Sequence, residues 1–182
     1  MKKLVSLLVA LTMVLSMVSF ASAEAKYTTE ATADGWIRVV NEGGATLGYA
    51  PESGVTIIES DGYAFKDMNK NGELDPYEDW RLPYEERAVD LVSKMTIEQM
   101  SGLRINGAIG GLETDIPAMN DMDGNPIYPQ IVEGGVRYYI MYPVAFGAPL
   151  NTVPACANAL QATAESTELG IPMMLNCDPT TT

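Results

Sequence analysis

The sequence contains no histidine, and this absence removes several classes of chemistry. Without an imidazole the chain cannot build a Ser-His-Asp triad, a Cys-His dyad or a zinc site with histidine ligands. Any acid–base chemistry must therefore come from carboxylates, tyrosines or lysines.

Basic residues are scarce as well. The 182 residues include 11 Lys and Arg against 24 Asp and Glu, which gives a net charge of -13 and a pI near 4.2. Nucleic-acid binding needs a clustered surplus of positive charge, so this class of partner is excluded. The composition suits hard cations and neutral solutes better.

Cysteine is limited to Cys156 and Cys177, too few for a disulfide scaffold. Two separate core thiols are favoured, while one bridge between them after export stays open. With 47% hydrophobic residues the chain can build a packed core, so stability must come from packing.

The first 23 residues have the layout of a secretory signal peptide. Met1-Lys2-Lys3 is a short positive start, residues 4–18 carry no charge, and an Ala-x-Ala pattern ends at Ala23. The uncharged run is shorter than the roughly 20 residues that a membrane-spanning helix needs. We expect cleavage after Ala23 and a secreted or periplasmic protein without a stable membrane anchor.

The mature chain begins with a β-rich segment over residues 24–60, in which the runs 36–40 and 55–58 favour strands. Residues 61–82 hold a loop motif. Residues 83–103 predict two helices, the second opened by a capping box of Thr96 and Gln99. The spacing of the apolar residues in the first predicts one buried stripe, formed by Ala88, Leu91, Val92 and Met95.

The remaining residues indicate a parallel sheet. Residues 104–150 are rich in Gly, Pro and Asn, with a turn at 121–126 and a strand at 136–142. A helix over 154–169 follows, and the continuous apolar run 171–177 predicts a strand buried on both faces. Strand, helix and strand at this spacing form a βα unit of a parallel sheet or barrel.

The loop of residues 67–78 matches the EF-hand pattern D-x-[DN]-x-[DN]-G-x5-E at every required position. Calcium takes six to eight oxygen ligands, and Gly72 permits the sharp turn. The candidate ligands are the side chains of Asp67, Asn69, Asn71, Asp75 and Glu78, with the backbone carbonyl of Glu73.

The surroundings of this EF-hand-like loop leave a second interpretation open. Residues 55–65 predict a strand and a turn where an EF-hand has its entering helix, and Pro76 lies inside the loop. In this alternative the Asp and Asn side chains cap their own backbone and bind no ion.

Asp178 is a candidate binding residue because it follows the predicted strand 171–177. In parallel sheets and barrels, ligands bind beyond the carboxyl ends of the strands. A carboxylate at this position is well placed for a substrate, although an Asp capping the next turn would look the same.

Together these segments resemble the amino-terminal region of glycoside hydrolase family 3, and most closely its secreted bacterial β-glucosidase-like members. The resemblance covers about residues 60–100 and 135–179. It is carried by Phe65-Lys66-Asp67, Tyr77-Glu78-Asp79-Trp80-Arg81, Glu86-Arg87-Ala88-Val89-Asp90-Leu91, Met95-Thr96-Ile97-Glu98, Asn158-Ala159-Leu160-Gln161, Ala164-Glu165, Leu169-Gly170-Ile171-Pro172 and Asp178-Pro179.

The resemblance implies an α/β fold: the start of a (β/α)8 barrel over residues 83–182, preceded by the β-rich segment and the EF-hand-like loop. It also implies retaining hydrolysis of β-linked glycosides, with Asp178 binding hydroxyl groups of the sugar. The family's nucleophile and acid/base match no position here, and Thr180-Thr181-Thr182 departs from its pattern. We therefore expect a truncated chain that is inactive alone. The alternative is a secreted calcium-binding or carbohydrate-binding module complete in itself.

Overall fold

The computed structural model describes residues 24–142, 149 and 152–177. The predicted signal peptide over residues 1–23 and the candidate residue Asp178 lie outside the described residues. Within the described ranges, no helix has both the length and the apolar character needed to cross a bilayer.

The N-terminal segment forms two small antiparallel sheets. Strands β1 (Tyr27–Ala31), β2 (Ile37–Asn41) and β3 (Thr46–Tyr49) form a meander, and β4 (Thr56–Ser60) pairs with β5 (Tyr63–Asp67) in a hairpin. The strands predicted at 36–40 and 55–58 are confirmed as β2 and β4. The hairpin turns at Asp61 and Gly62, which both have positive φ, as a tight Asp-Gly turn requires.

A buried asparagine joins the two sheets. The Nδ2 atom of Asn41 on β2 donates to the Ala64 carbonyl at 3.1 Å, and its Oδ1 accepts from the Ala64 N–H at 2.7 Å. Trp80 covers the same strand, because its ring stacks on Phe65 at 5.3 Å between centroids and its indole N–H donates to Ala64. These contacts join the two sheets of the β-rich segment.

The two helices predicted over residues 83–103 are α1 (Tyr84–Lys94) and α2 (Ile97–Gly102). The capping box of Thr96 and Gln99 is confirmed at the start of α2. The buried stripe on α1 is wrong: Val92 is 50% exposed, Ala88 is exposed, and no residue within α1 is buried. Leu91 is half-buried, and of the four residues only Met95, just after the helix, is buried.

Residues 104–142 contain a strand and an α-helix that the sequence did not predict, β6 (Asn106–Ile109) and α3 (Ile127–Val132). The strand β6 is inconspicuous because Gly107 and Ala108 have low strand propensity. Gly107 is needed there since a Cβ atom would lie 2.5 Å from the ring of Tyr139 on the next strand. The close approach of the Tyr139 ring thus explains the glycine at this position, and the strand forms by pairing with β7.

Strands β6, β7 (Tyr138–Met141) and β8 (Met174–Cys177) form a parallel sheet in that order, with helix α4 (Thr152–Glu165) between β7 and β8. The predicted strand–helix–strand unit is confirmed. Burial of β8 on both faces is wrong, because Met174 is 58% exposed and Asn176 is exposed. Helices cover one face of the described sheet, and the other face is open.

The core lies between this sheet and its helices. It is built from Ile109, Ile116, Met119, Ile127, Ile131, Val136, Tyr139, Met141, Cys156, Leu160 and Ala164. Cys156 is a buried thiol whose pKa is raised by burial. The side chain of Cys177 lies outside the described residues, so the choice between two thiols and a bridge stays open.

A buried carboxylate connects the β-rich segment to this core. Glu165 is the last residue of α4 and is 1% exposed. It forms a salt bridge with Lys66 on β5 and accepts a hydrogen bond from the Ala50 N–H at 3.0 Å. A buried charge is tolerated only when it is paired and hydrogen-bonded, so these contacts hold the two parts together.

This junction predicts a large loss of stability for Lys66→Met. The change leaves the Glu165 carboxylate buried without its counter-ion, which costs about 3 kcal/mol or more in the free energy of unfolding. The measurement is urea unfolding of wild type and variant, followed by circular dichroism.

The double variant Lys66→Met with Glu165→Gln tests the reason for that loss. The neutral amide oxygen that the second substitution introduces still accepts from the Ala50 N–H, so most of the lost stability returns. A double variant as unstable as Lys66→Met would show that the lysine acts through packing and not through the charge.

Candidate functional site

The EF-hand-like loop begins at the last residue of β5 and ends at Glu78, so a hairpin and not a helix leads into it. Asp67 is buried, and its two carboxylate oxygens accept hydrogen bonds from the N–H groups of Asn71 and Gly72, both at 3.0 Å. Lys70 and Gly72 have positive φ, which reverses the chain around this carboxylate. The first residue of the motif thus closes the turn.

The middle of the loop is a chain of amide contacts. The Oδ1 atoms of Asn69 and Asn71 accept from the N–H groups two residues later, at 3.1 Å and 2.7 Å. Their Nδ2 atoms both donate to Oδ2 of Asp75, at 2.6 Å and 2.8 Å. Such Asx-type contacts are those expected if the Asp and Asn side chains cap their own backbone and bind no ion.

Asp75 also pairs with a lysine from α1. Its Oδ1 lies 3.0 Å from Nζ of Lys94, which also contacts Asp90 at 2.8 Å. Although burial acts in the opposite direction, the hydrogen bonds from Lys94, Asn69 and Asn71 lower the pKa of the Asp75 carboxyl. An ammonium group therefore already neutralises this carboxylate.

Glu78 closes the loop. Its Oε1 accepts from the N–H groups of Met68 and Asn69, at 2.7 Å and 3.2 Å, and its Oε2 accepts from the Asp75 N–H at 3.1 Å. Burial raises the pKa of this carboxyl, although the three main-chain donors act against that rise. Glu73, the remaining candidate ligand, is exposed.

The loop closes on its own hydrogen bonds. Within the described residues, no three Asp, Glu, Cys or His side chains converge as a metal site would need. The oxygens of Asp67 and Glu78 already accept from main-chain N–H groups, and a calcium ion would have to share them. The geometry accounts for the loop without a metal, and calcium binding stays a prediction of the motif.

Lys70 joins the EF-hand-like loop to the C-terminal end of α4 by hydrogen bonds. Lys70 donates from Nζ to three carbonyl oxygens: that of Met68 at 3.1 Å, and those of Glu165 and Thr167 at 2.7 Å each. A lysine at a helix C-terminus satisfies its open carbonyls and complements the negative end of the dipole. Gly170 allows the close approach, because a Cβ atom there would lie 2.7 Å from the Met68 carbonyl.

The second candidate region is the carboxyl edge of the parallel sheet, where β6, β7 and β8 end. Asp178 follows β8 directly in the sequence, and its position lies outside the described residues. Arg137, which is buried, helps to fix the segment leading into β8 by donating to the carbonyls of Ile131 and Ile171, both at 2.7 Å, and to the Thr167 hydroxyl at 3.0 Å.

Sequence reasoning missed the roles of Glu165, Lys66 and Lys70. A signal was present for Glu165, since a glutamate among the apolar residues of a helix needs a partner once it is buried. Nothing in the motif identified Lys70, which occupies a position that the EF-hand pattern leaves free.

No family model matches the chain. Over 126 residues, or 69% of its length, the chain is 37% identical to a periplasmic beta-glucosidase/beta-xylosidase of Dickeya chrysanthemi. The match covers 19% of that protein, so the chain spans about a fifth of the length of this relative. The chain is thus similar to the corresponding part of a glycoside hydrolase.

The loop geometry predicts that Glu78→Gln destabilises the protein by roughly 2 kcal/mol or more in the free energy of unfolding. An amide keeps one acceptor oxygen and turns an NH2 group toward main-chain donors, which leaves buried N–H groups unpaired. Chemical denaturation measures the loss. Glu73→Gln is the matched control in the same loop and should leave stability unchanged, whereas equal losses would contradict the closing role of Glu78.

The motif itself predicts that calcium raises the melting temperature of chelator-treated protein. Binding to the folded state alone should add about 5 °C or more when calcium exceeds its Kd 100-fold. Asp75→Asn should reduce this shift in melting temperature. The control is Asp121→Asn, which changes a turn outside the motif and should leave the shift unchanged. An unchanged wild-type melting temperature would leave hydrogen bonding as the whole role of the loop.

Proposed function

We propose that this chain is the amino-terminal part of a secreted β-glucosidase-like enzyme of glycoside hydrolase family 3. The whole enzyme hydrolyses β-O-glycosides of carbohydrates with retention of configuration. The observation that carries the proposal is the 37% identity over 126 residues to a periplasmic beta-glucosidase/beta-xylosidase. The sequence motifs that resemble the family, over about residues 60–100 and 135–179, also support it.

The fold supports the barrel part of the proposal. Three parallel strands in sequential order, with helices on one face, are the arrangement expected of consecutive β/α units in a (β/α)8 barrel. The open face carries Tyr138 and Met174, which are neighbours in the sheet register. In a closed barrel this face is filled by layers of side chains.

Asp178 is the residue that we assign to substrate binding. It comes directly after β8, and ligands of barrels bind beyond the carboxyl ends of the strands. An ionised carboxylate there accepts charge-assisted hydrogen bonds from sugar hydroxyl groups. It positions the sugar ring for the reaction.

Bond cleavage needs two further carboxyl groups. A retaining glycosidase uses a nucleophile and an acid/base about 5–5.5 Å apart, and water then releases the sugar from the covalent intermediate. The residues that hold these roles in the family match no position of the sequence. In the proposal this chain supplies binding and positioning, and the reaction belongs to the whole enzyme.

A chimera tests the proposal. The matched region of this chain, extended through Asp178, replaces the corresponding part of the Dickeya chrysanthemi protein, and hydrolysis of an aryl β-glucoside is measured. We expect an active chimera whose kcat/KM falls about 100-fold or more on Asp178→Asn, because hydrogen bonds to a charged group contribute roughly 1.5–3 kcal/mol each.

Glu52→Gln, which neutralises an exposed carboxylate of the β-rich segment, is the matched control and should leave kcat/KM unchanged. A folded chimera without activity would contradict the proposal. Equal activity of the Asp178→Asn and control chimeras would contradict the role of Asp178.

A further inference from the structure

A groove of about 310 Å³ lies between the β1–β3 sheet and helix α4. Its polar and aromatic lining side chains from the β-rich segment include Thr32, Asp34, Trp36 and Arg38. Helix α4 contributes Asn158. The EF-hand-like loop of residues 67–78 contributes none of its lining residues. Its volume falls at the lower end of the range for small-molecule sites.

Trp36 provides a flat apolar wall. Its side chain is half-buried, and its ring edge approaches the backbone of Gly48 on β3. A Cβ atom at Gly48 would lie 4.0 Å from Cε3 of the ring, so a larger side chain there would enter the groove beside the tryptophan. The glycine leaves this space open.

Asp34 provides a hydrogen-bond acceptor in the same lining as the tryptophan. The Nδ2 atom of Asn158 donates to its Oδ2 at 2.6 Å, and the Thr32 hydroxyl donates to its Oδ1. These donors, Thr32 first, lower the pKa of the Asp34 carboxyl, which stays ionised at neutral pH. The carboxylate is held across two elements, the β1–β2 turn and α4.

Arg38 also lines the groove. Its guanidinium pairs at 3.1 Å with the exposed Glu30, which lies outside the lining. The lining therefore combines an aromatic face, a carboxylate, an amide and a guanidinium within one small volume. A site of this kind fixes its ligand by a few polar groups beside an apolar wall.

We propose that this groove binds one pyranose unit of a neutral β-linked oligosaccharide. The C–H face of a sugar ring is apolar and packs on an aromatic ring, while its hydroxyl groups both donate and accept hydrogen bonds. Asp34 and the net charge of -13 disfavour an anionic ligand. A purely apolar ligand would use only the tryptophan and none of the polar groups of the lining.

The choice of sugar as ligand rests on the proposed function. The proposal adds a second contact to carbohydrate, made by residues of the β-rich segment and α4. Asn158 lies within the region that carries the resemblance, but the resemblance assigns its substrate contact to Asp178 and to none of the groove residues.

The experiment measures binding of cellotetraose and xylotetraose to the full chain by titration calorimetry and by tryptophan fluorescence. Trp80 contacts Phe65 and Ala64 and is present in every variant, so a change that depends on Trp36 can be separated from its signal. We expect saturable binding with at least one of the two, weakened tenfold or more by Trp36→Ala. Tyr84→Ala, which removes an aromatic side chain 77% exposed on α1, is the control and should bind as wild type.

Gly48→Thr gives a second route to the same result. Threonine suits a strand, and its side chain takes up space in the groove while Trp36 stays in the sequence. The variant should therefore also weaken binding tenfold. If circular dichroism shows that Trp36→Ala is unfolded, Gly48→Thr decides. The proposal that the groove binds sugar is overturned by either of two results: binding equal to wild type in a folded Gly48→Thr variant, or no binding of either sugar to wild type.

Asp178→Asn separates this inference from the proposed function. Binding that survives Asp178→Asn and is lost in Trp36→Ala supports the groove, whatever the activity of the chimera. Binding that is lost in Asp178→Asn and survives Trp36→Ala overturns the groove and leaves the proposed function intact. An inactive chimera together with sugar binding that depends on Trp36 would contradict the proposed function and support sugar binding in the groove.

Discussion

A single buried carboxylate holds the described parts of this protein together. Glu165 ends helix α4, and its two partners, Lys66 and Ala50, belong to the β-rich segment and its hairpin. A charge in this position is unfavourable alone, so its burial requires that the segment stay docked. Lys70 adds to the same end of the helix through its carbonyl oxygens. The β-rich segment, the loop and the helix that packs on the parallel sheet therefore meet at this end of α4.

The EF-hand-like loop shows how one set of side chains suits two kinds of partner. Carboxylate and amide oxygens that could surround a hard cation also accept hydrogen bonds from main-chain N–H groups. In the structure Asp67 and Glu78 together accept five such bonds, and Lys94 pairs with Asp75. This arrangement lets the loop act as a rigid spacer between β5 and α1, docked at the end of α4 by Lys70.

Apolar side chains are exposed at two places where the sequence predicts burial. One is Val92 on α1, and the other is Met174 on β8, which lies with Tyr138 on the open face of the described sheet. In the described sheet, β6 and β8 each pair with one strand only. A (β/α)8 barrel would pair both strands again and cover that face, as the proposed function expects.

The sequence by itself determined the elements whose signals are local. Spacing and propensity act over a few residues, and they were enough to predict the capping box at Thr96 and the helix that ends at Glu165. They also predicted the alternation of strand, helix and strand. Only the tertiary structure decided that Val92 and Met174 are exposed, that Gly107 lies in a strand, and that Lys66 and Glu165 meet across 99 residues. Burial and ion pairing depend on which distant elements come together, and hydrophobic periodicity carries no information about that choice.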